Sequence, residues 1–261
     1  MKLILVAEKE IASVNIVNVL LKKHPALERN IFRIPDSVLD IDKYYAKLKQ
    51  KRCDFLIVAS DHASESGIPM LTCHAPGNWT ANDMGGKKRE LSIAPAFYLR
   101  ECILELKRQK ERLGLKNYKV GLEVTHHSPT IDMPVIFVEV GSTEKQWRDM
   151  KACEAAAETI YKLFTKKATN VPVYVGFGGG HYAPTFTRRV FDKVLAFGHI
   201  CPKYQLDKVS EQVILESFAT TKPKPNAAVI EWNGCTASQR QKLIRIFDEN
   251  DISWIKDKEL K

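Results

Sequence analysis

The sequence predicts an α/β protein with a mixed, mostly parallel sheet flanked by helices and a smaller α+β portion towards its C-terminus. Two apolar runs, Leu3 to Ala7 and Phe55 to Ala59, lack polar alternation, as strands covered on both faces do. Between them Ile11, Val14, Val17, Leu20 and Leu21 recur at helical spacing. The opening therefore reads β-α-β-α-β, the pattern of a largely parallel sheet.

In chain order, a strand over Lys2 to Ala7 leads into a helix over Lys9 to Lys23, which Pro25 stops. Ile31 to Ile34 reads as a strand, Ile41 to Gln50 as a short helix, and 54–60 as the next strand. Residues 61–90 read as one long loop. Pro95 opens a helix ending near Gly114, whose basic end, Lys107 to Arg112, suits a solvated helix C-terminus. Val120 to Thr125 and Pro134 to Val140 read as strands. Thr143 and Gln146 form a capping box for a helix over Glu144 to Phe164. Pro172 to Gly176 is a strand that opens into Gly178-Gly179-Gly180-His181, and a helix after Pro184 is expected to run to Gly198-His199. The remainder reads as a helix near 210–219, a strand over Ala227 to Trp232, a helix from Ala237 capped by Thr236 and Gln239, and a strand over Ile252 to Ile255. With no linker visible, residues 1–261 read as one unit or as two closely packed α/β subdomains.

At 44% hydrophobic and 27% charged residues the chain is globular, and 40 Lys and Arg against 31 Asp and Glu give a formal charge of +9. That excess favours a polyanion such as RNA over a membrane surface. The plainer alternative is a lysine-rich surface without a partner, because no single basic tract is long. Six dispersed cysteines with no C-x-x-C pair, and an N-terminus too short for a secretory core, give the expectation of a cytoplasmic protein with reduced thiols. The lack of G-x-G-x-x-G after Ala7 speaks against a dinucleotide site, and the lack of Gly-Lys-Ser/Thr against a P-loop.

Apart from His24, every histidine (His62, His74, His126, His127, His181 and His199) follows or closes a buried element and lies beside Gly, Pro, Ser or Thr. Strand ends in α/β sheets bring such residues together. Histidines and carboxylates suit a zinc site with one position left for water. His62, His126, His127 and His181 are candidate ligands, with Glu65, Glu123 or Glu139 as a further ligand or general base. The runner-up role for Glu139 is a buried ion pair with a lysine or arginine, and the alternative for Glu123, on the opposite strand face from its neighbours, is solvent exposure. Cys73 beside His74 is a weak nucleophile candidate, since neighbours on an extended chain point apart. The glycines 178–180 could cradle a phosphate or leave room for His181. Lys87, Lys88, Arg89, Arg188 and Arg189 are the candidates for phosphate contacts.

Six blocks together resemble the metal-dependent D-aminoacyl-tRNA deacylases, which are distinct from the small bacterial deacylases. They are HASESGIPMLTCHAPGNW at 62–79, MGGKKRELSIAPA at 84–96, EVTHHSPT at 123–130, FVEVGSTEKQW at 137–147, GFGGGHYAPTFT at 176–187 and FGHICPKY at 197–204. The resemblance implies a hydrolase that cleaves the ester between a D-amino acid and the terminal ribose of tRNA, with zinc as cofactor and a fold like the phosphorylase/hydrolase class. Within those blocks the expectation is that His62, His126 and His181 hold zinc and that Glu139 or Glu65 takes a proton from water. Asn78 steadies the oxyanion, and His127 or His199 protonates the leaving ribose. His74, Asn78, Gly179, Gly180 and the five basic residues position the tRNA acceptor end. No membrane and no obligate protein partner is implied. The competing readings are a zinc peptidase or amidohydrolase, a nucleoside phosphorylase, and a non-catalytic RNA-binding protein.

Overall fold

A computed structural model of the chain describes residues 1–260. Its first sheet takes β1 (Lys2–Ala7), β2 (Ile31–Ile34), β3 (Phe55–Ala63), β4 (Met70–His74), β5 (Lys119–Leu122) and β6 (Val135–Ser142), in the order β2-β1-β3-β6-β4-β5. The first four strands in that order run parallel. β4 lies antiparallel to β6 and carries β5 parallel beside it. Helices α1 (Ile11–Lys23), α2 (Tyr45–Gln50), α3 (Ala96–Arg112) and α4 (Met150–Thr165) belong to this part of the chain.

A second sheet holds β7 (Val173–Phe177), β8 (Ala196–Cys201), β9 (Ala227–Ile230) and β10 (Trp254–Lys256), all parallel, in the order β8-β7-β9-β10. Its helices are α5 (Pro184–Asp192), α6 (Glu211–Ala219) and α7 (Ala237–Glu249). One apolar cluster joins the two sheets, from Ile4, Ile57 and Ile136 to Phe186, Phe197 and Val229. No helix among the described residues is long and apolar enough to cross a membrane.

The mixed, mostly parallel sheet is present, and the principal helices and strands fall near their expected bounds. Three differences matter. The 61–90 loop contains β4, whose five residues are all buried; five residues broken by Thr72 carry too little periodicity to distinguish from a loop. The helix after Pro184 stops at Asp192, and Ala196–Cys201 is a buried strand. Gly198 in that strand leaves room for the Thr221 side chain, which a Cβ at position 198 would overlap. The helix expected over Glu144 to Phe164 breaks after a first turn, and the Asp149 carboxylate caps its second part by accepting from the amides of Lys151 and Ala152.

The topology fixes where chemistry can gather. From β1 the chain moves to β2 on one side and then to β3 on the other, which makes the carboxyl ends of β1 and β3 a topological switch point. A cleft of ≈ 380 Å³ lies there, lined among others by Glu10, Asp61, His62, His126, His127, Glu139 and His181.

Candidate functional site

Glu123 is the hub of the site. The chain leaves the first sheet at Leu122, and residues 123–125 stitch the two sheets together. The amide of Glu123 donates to Cys73 O, that of Val124 to His181 O and that of Thr125 to Ile200 O. The Glu123 carboxylate is thereby buried, not exposed. His181 Nε2 donates to its Oε2 at 2.8 Å, and His126 Nε2 lies 3.5 Å from the same oxygen. His62 Nδ1 is 3.0 Å from Oε1, but Oε1 has no hydrogen bond of good geometry and is a buried, unpartnered atom.

His62 stands at the end of β3 opposite Gly141 of β6, where a Cβ on residue 141 would lie 2.6 Å from both Cβ and Cδ2 of the histidine. The Tyr182 hydroxyl donates to Ser64 Oγ, so His62 Nε2 must donate to Tyr182, at 3.0 Å. Burial works against charge on His62, but Glu123 and Glu139 outweigh it and hold the imidazolium up to about 11.

Glu139 lies at the centre of β6, opposite Ser60 of β3 and Thr72 of β4. Thr72 Oγ1 donates to it at 3.3 Å, and His74 Nε2 is 3.6 Å away. Burial would raise this carboxyl; His62 and His74 overcome that and hold it well below the usual carboxylate range.

The second grouping is His74, His126 and His127, with one ligand-capable atom from each converging within 4.8 Å. In all three, Nδ1 donates to a backbone carbonyl: Ala75 O at 3.3 Å, Val124 O at 2.8 Å, and Ser128 O. A carbonyl can only accept, so Nδ1 carries a proton in each. In His126 and His127 this leaves Nε2 with its lone pair, the arrangement metal-ligating histidines show. Burial works against charge on His74, but Glu139 outweighs it and raises that imidazole above its usual range. His126 and His127 are adjacent yet share this face because His127 adopts a left-handed backbone, φ 45°. Burial, and then the neighbouring histidines, hold His126 well below the usual imidazole range; burial pushes His127 down to about 4.

The residues fit a metal ion. Three pinned imidazoles converge, and His74 Nε2 and Glu123 Oε1 are buried without a hydrogen-bond partner, each a polar atom that is costly to leave unmatched. The expected trio of His62, His126 and His181 does not form one such group. All three surround Glu123, but His62 has both ring nitrogens directed at Glu123 and Tyr182, and it converges with Glu123 and His181, while His126 joins His74 and His127.

A model of the D-aminoacyl-tRNA deacylase family matches residues 49–255. The chain belongs to this family. It is 39% identical over 209 residues to the D-aminoacyl-tRNA deacylase of Methanosarcina barkeri, covering 79% of this chain but 66% of that relative. It is 34% identical over 268 residues to that of Methanocaldococcus jannaschii, covering 97% of this chain and 99% of that one. A crystal structure of a conserved protein of unknown function superposes with a TM-score of 0.91 at 25% identity, over 100% of this chain and 96% of that one.

In this member of the deacylase family several expected site residues lie elsewhere. Glu65 sits exposed on the β3–β4 turn and does not reach the carboxylate and histidine cluster, because the chain has already passed the sheet edge. His199 is sealed inside: Nε2 donates to Ser92 O at 3.0 Å, Thr125 Oγ1 lies 3.0 Å from Nδ1, and burial pushes it down to about 3. It anchors the strand crossing at Thr125 and cannot meet a substrate. Asn78 spends its amide on Gly85 O and Lys87 O, holding the turn that carries Met84 into the cleft.

Gly179 packs on the Glu231 carboxylate, its amide donates to Gly234 O and its φ is +74°, so it makes room for protein, whereas Gly180 faces open space. Arg189 is tied to Asp257 at 3.5 Å, and Lys87 to Glu90 at 2.9 Å. Lys88 and Arg89 line a separate basic depression with Lys208, and Arg188 is exposed on another face. Cys73 is fully buried, and burial pushes its thiol far up, which leaves it inert.

Residue types alone did not reveal Glu10, Asp61, Thr72 or Tyr182. Asp61 accepts from the amides of Ala12 and Ser13 at the start of α1, and burial raises it to about 6; burial raises Glu10 to about 7. Asp61 and Tyr182 carried one signal each, their places beside His62 and His181.

Proposed function

We propose that this chain hydrolyses the ester bond of D-aminoacyl-tRNA, releasing tRNA and the free D-amino acid, with zinc held by His74, His126 and His127. Membership of the family makes it a hydrolase of carboxylic esters. The single observation that carries the metal assignment is the pinning of three converging imidazoles by backbone carbonyls. A zinc ion held there would supply Lewis acidity that makes water a better nucleophile near neutral pH.

The chain's own groups do the rest. Glu139, in the cleft wall beside His62 and His74, accepts the proton of the attacking water. His62, charged and lying 3.0 Å from Glu123 and 3.7 Å from Glu139 while its Nε2 donates to Tyr182, keeps both carboxylates ionised. His181 stands at the cleft wall with Nε2–H directed into Glu123, which leaves the Nδ1 lone pair to receive the proton that Glu139 took from water and hand it to the departing ribose oxygen. Glu123 orients that imidazole as the carboxylate of a catalytic triad does. The cleft walls at Ser37 to Leu39, Met84 and Trp147 exclude an L side chain by their shape. Lys88, Arg89 and Lys208 offer phosphate contacts to the tRNA, and that substrate sets the reaction in the cytoplasm.

The test is to incubate the protein with D- and L-aminoacyl-tRNA, untreated, chelated, and chelated then resupplied with zinc. Selective cleavage of the D ester that chelation abolishes and zinc restores is expected. Equal cleavage of both enantiomers sinks the chiral reading, and indifference to chelation sinks the metal. Turnover of small amides without tRNA would favour a peptidase or amidohydrolase instead.

A further inference from the structure

Beyond the hydrolytic cleft, a groove of ≈ 530 Å³ is lined by Ile68, Met70, Lys107, Lys119, Val120, Tyr182, Arg188 and Phe191 among others. We propose that this groove seats the single-stranded 3′ end of the tRNA, threading the terminal nucleotides past Tyr182 into the cleft. The proposal rests on the deacylase reading and deepens it.

Three features point to a single strand. Lys107, Lys119 and Arg188 are exposed, come from three separate elements, and form no ion pair among the described residues. The acidic lining residue, Asp192, leaves the groove with a net positive charge. Tyr182 and Phe191 add aromatic faces, and Lys107 Nζ lies 4.5 Å from the centre of the Phe191 ring. Unpaired cations interleaved with aromatic rings are what a flexible, stacked strand requires, phosphates meeting the cations and bases the rings. The depression at Lys88, Arg89 and Lys208 has cations but no aromatic lining residue; it suits the phosphates of a duplex.

Continuity decides between the two surfaces. Tyr182 lines the groove, and its hydroxyl is 3.0 Å from His62 Nε2 on the wall of the hydrolytic cleft. A nucleotide stacked at Tyr182 thus brings its ribose ester towards His181 and Glu139. The basic depression has no such shared residue.

The experiment compares wild type with K119Q/R188Q and, separately, K88Q/R89Q on three readouts. The first is the ratio of kcat/KM for D-aminoacyl-tRNA to that for D-aminoacyl-adenosine, which carries no further nucleotides. K119Q/R188Q should lower this ratio by about tenfold or more, through KM. The second is the slope of log affinity against log salt for a labelled single-stranded oligonucleotide ending in CCA. It should flatten by about 1.4 in K119Q/R188Q, since each lost contact to a single strand removes about 0.7. The third is the same affinity for K88Q/R89Q, which should stay within about twofold of wild type.

Unchanged oligonucleotide affinity in K119Q/R188Q overturns the groove, as does a loss confined to K88Q/R89Q. Wild-type failure to cleave either ester overturns the deacylase reading, while the oligonucleotide measurement still decides the groove.

Discussion

Replacing Gly141 by alanine tests whether the space beside His62 is as tight as the sheet register implies. The added Cβ would meet His62 O at 2.5 Å, Cβ at 2.6 Å and Cδ2 at 2.6 Å. Two of those three atoms are backbone or Cβ, so no rotamer change clears them. β3 and β6 must part, or the His62 ring must swing from Glu123 and Tyr182. Overpacking of this kind costs about 1–3 kcal/mol, which for a chain of this size lowers Tm by roughly 2–12 °C. The chemical cost is larger, since a shift of about 1 Å in a catalytic group is expected to lose roughly 100-fold in rate. Thermal unfolding by circular dichroism and hydrolysis of D-aminoacyl-tRNA measure the two effects. Gly180→Ala, whose Cβ meets nothing within 4 Å, is the stability control and should move Tm little. Wild-type rate and Tm in G141A would refute the placement of His62.

Three further outcomes are expected. His126→Ala should abolish stoichiometric zinc by elemental analysis, whereas His199→Asn, altering an internal anchor, should retain it; the reverse pattern would exclude His126 as a ligand. In the metal-free protein, Glu123 and Glu139 have depressed pKa values, so their stabilisation is present above about pH 4.5 and lost as pH falls. His62, raised from 6.5 to about 11, contributes fully below pH 6.5 and progressively less as pH rises to 11. Urea midpoints should therefore peak between those limits and decline on both sides, by at most about 1.4 kcal/mol per pH unit per group; a midpoint flat from pH 6 to 9 contradicts the His62 assignment. Arg189→Ala should destabilise the protein by about 1–3 kcal/mol, because Asp257 loses its buried partner, while KM for tRNA stays unchanged. A raised KM with unaltered stability would return Arg189 to phosphate binding.

Much of the fold was legible because its strands are continuous apolar runs and its helices carry long apolar stripes. LILVA and FLIVA can be little else but strands buried on both faces, and Thr236 with Gln239 forms the capping box that the sequence indicates. β4 and β8 were not legible. MLTCH and AFGHIC are short and interrupted by polar or small residues, and they are strands because neighbours cover them, a condition that local pattern does not encode.

The site divides along the same line. The sequence by itself determined that His62, His74, His126, His127 and His181 lie at the ends of buried elements, and its family blocks determined the residue types of the chemistry; both are properties of a stretch and its immediate neighbours. Only tertiary structure decided how those histidines are sorted. The antiparallel insertion of β4 beside β6 puts His74 and Thr72 against Glu139, and the left-handed turn at His127 lets two adjacent rings converge. The crossing of residues 123–125 between sheets buries Glu123 among His62, His126 and His181, and it seals His199 away. Whether a histidine offers a lone pair, donates a proton or merely anchors a strand depends on what each ring nitrogen meets, and those partners lie up to 120 residues away in the chain.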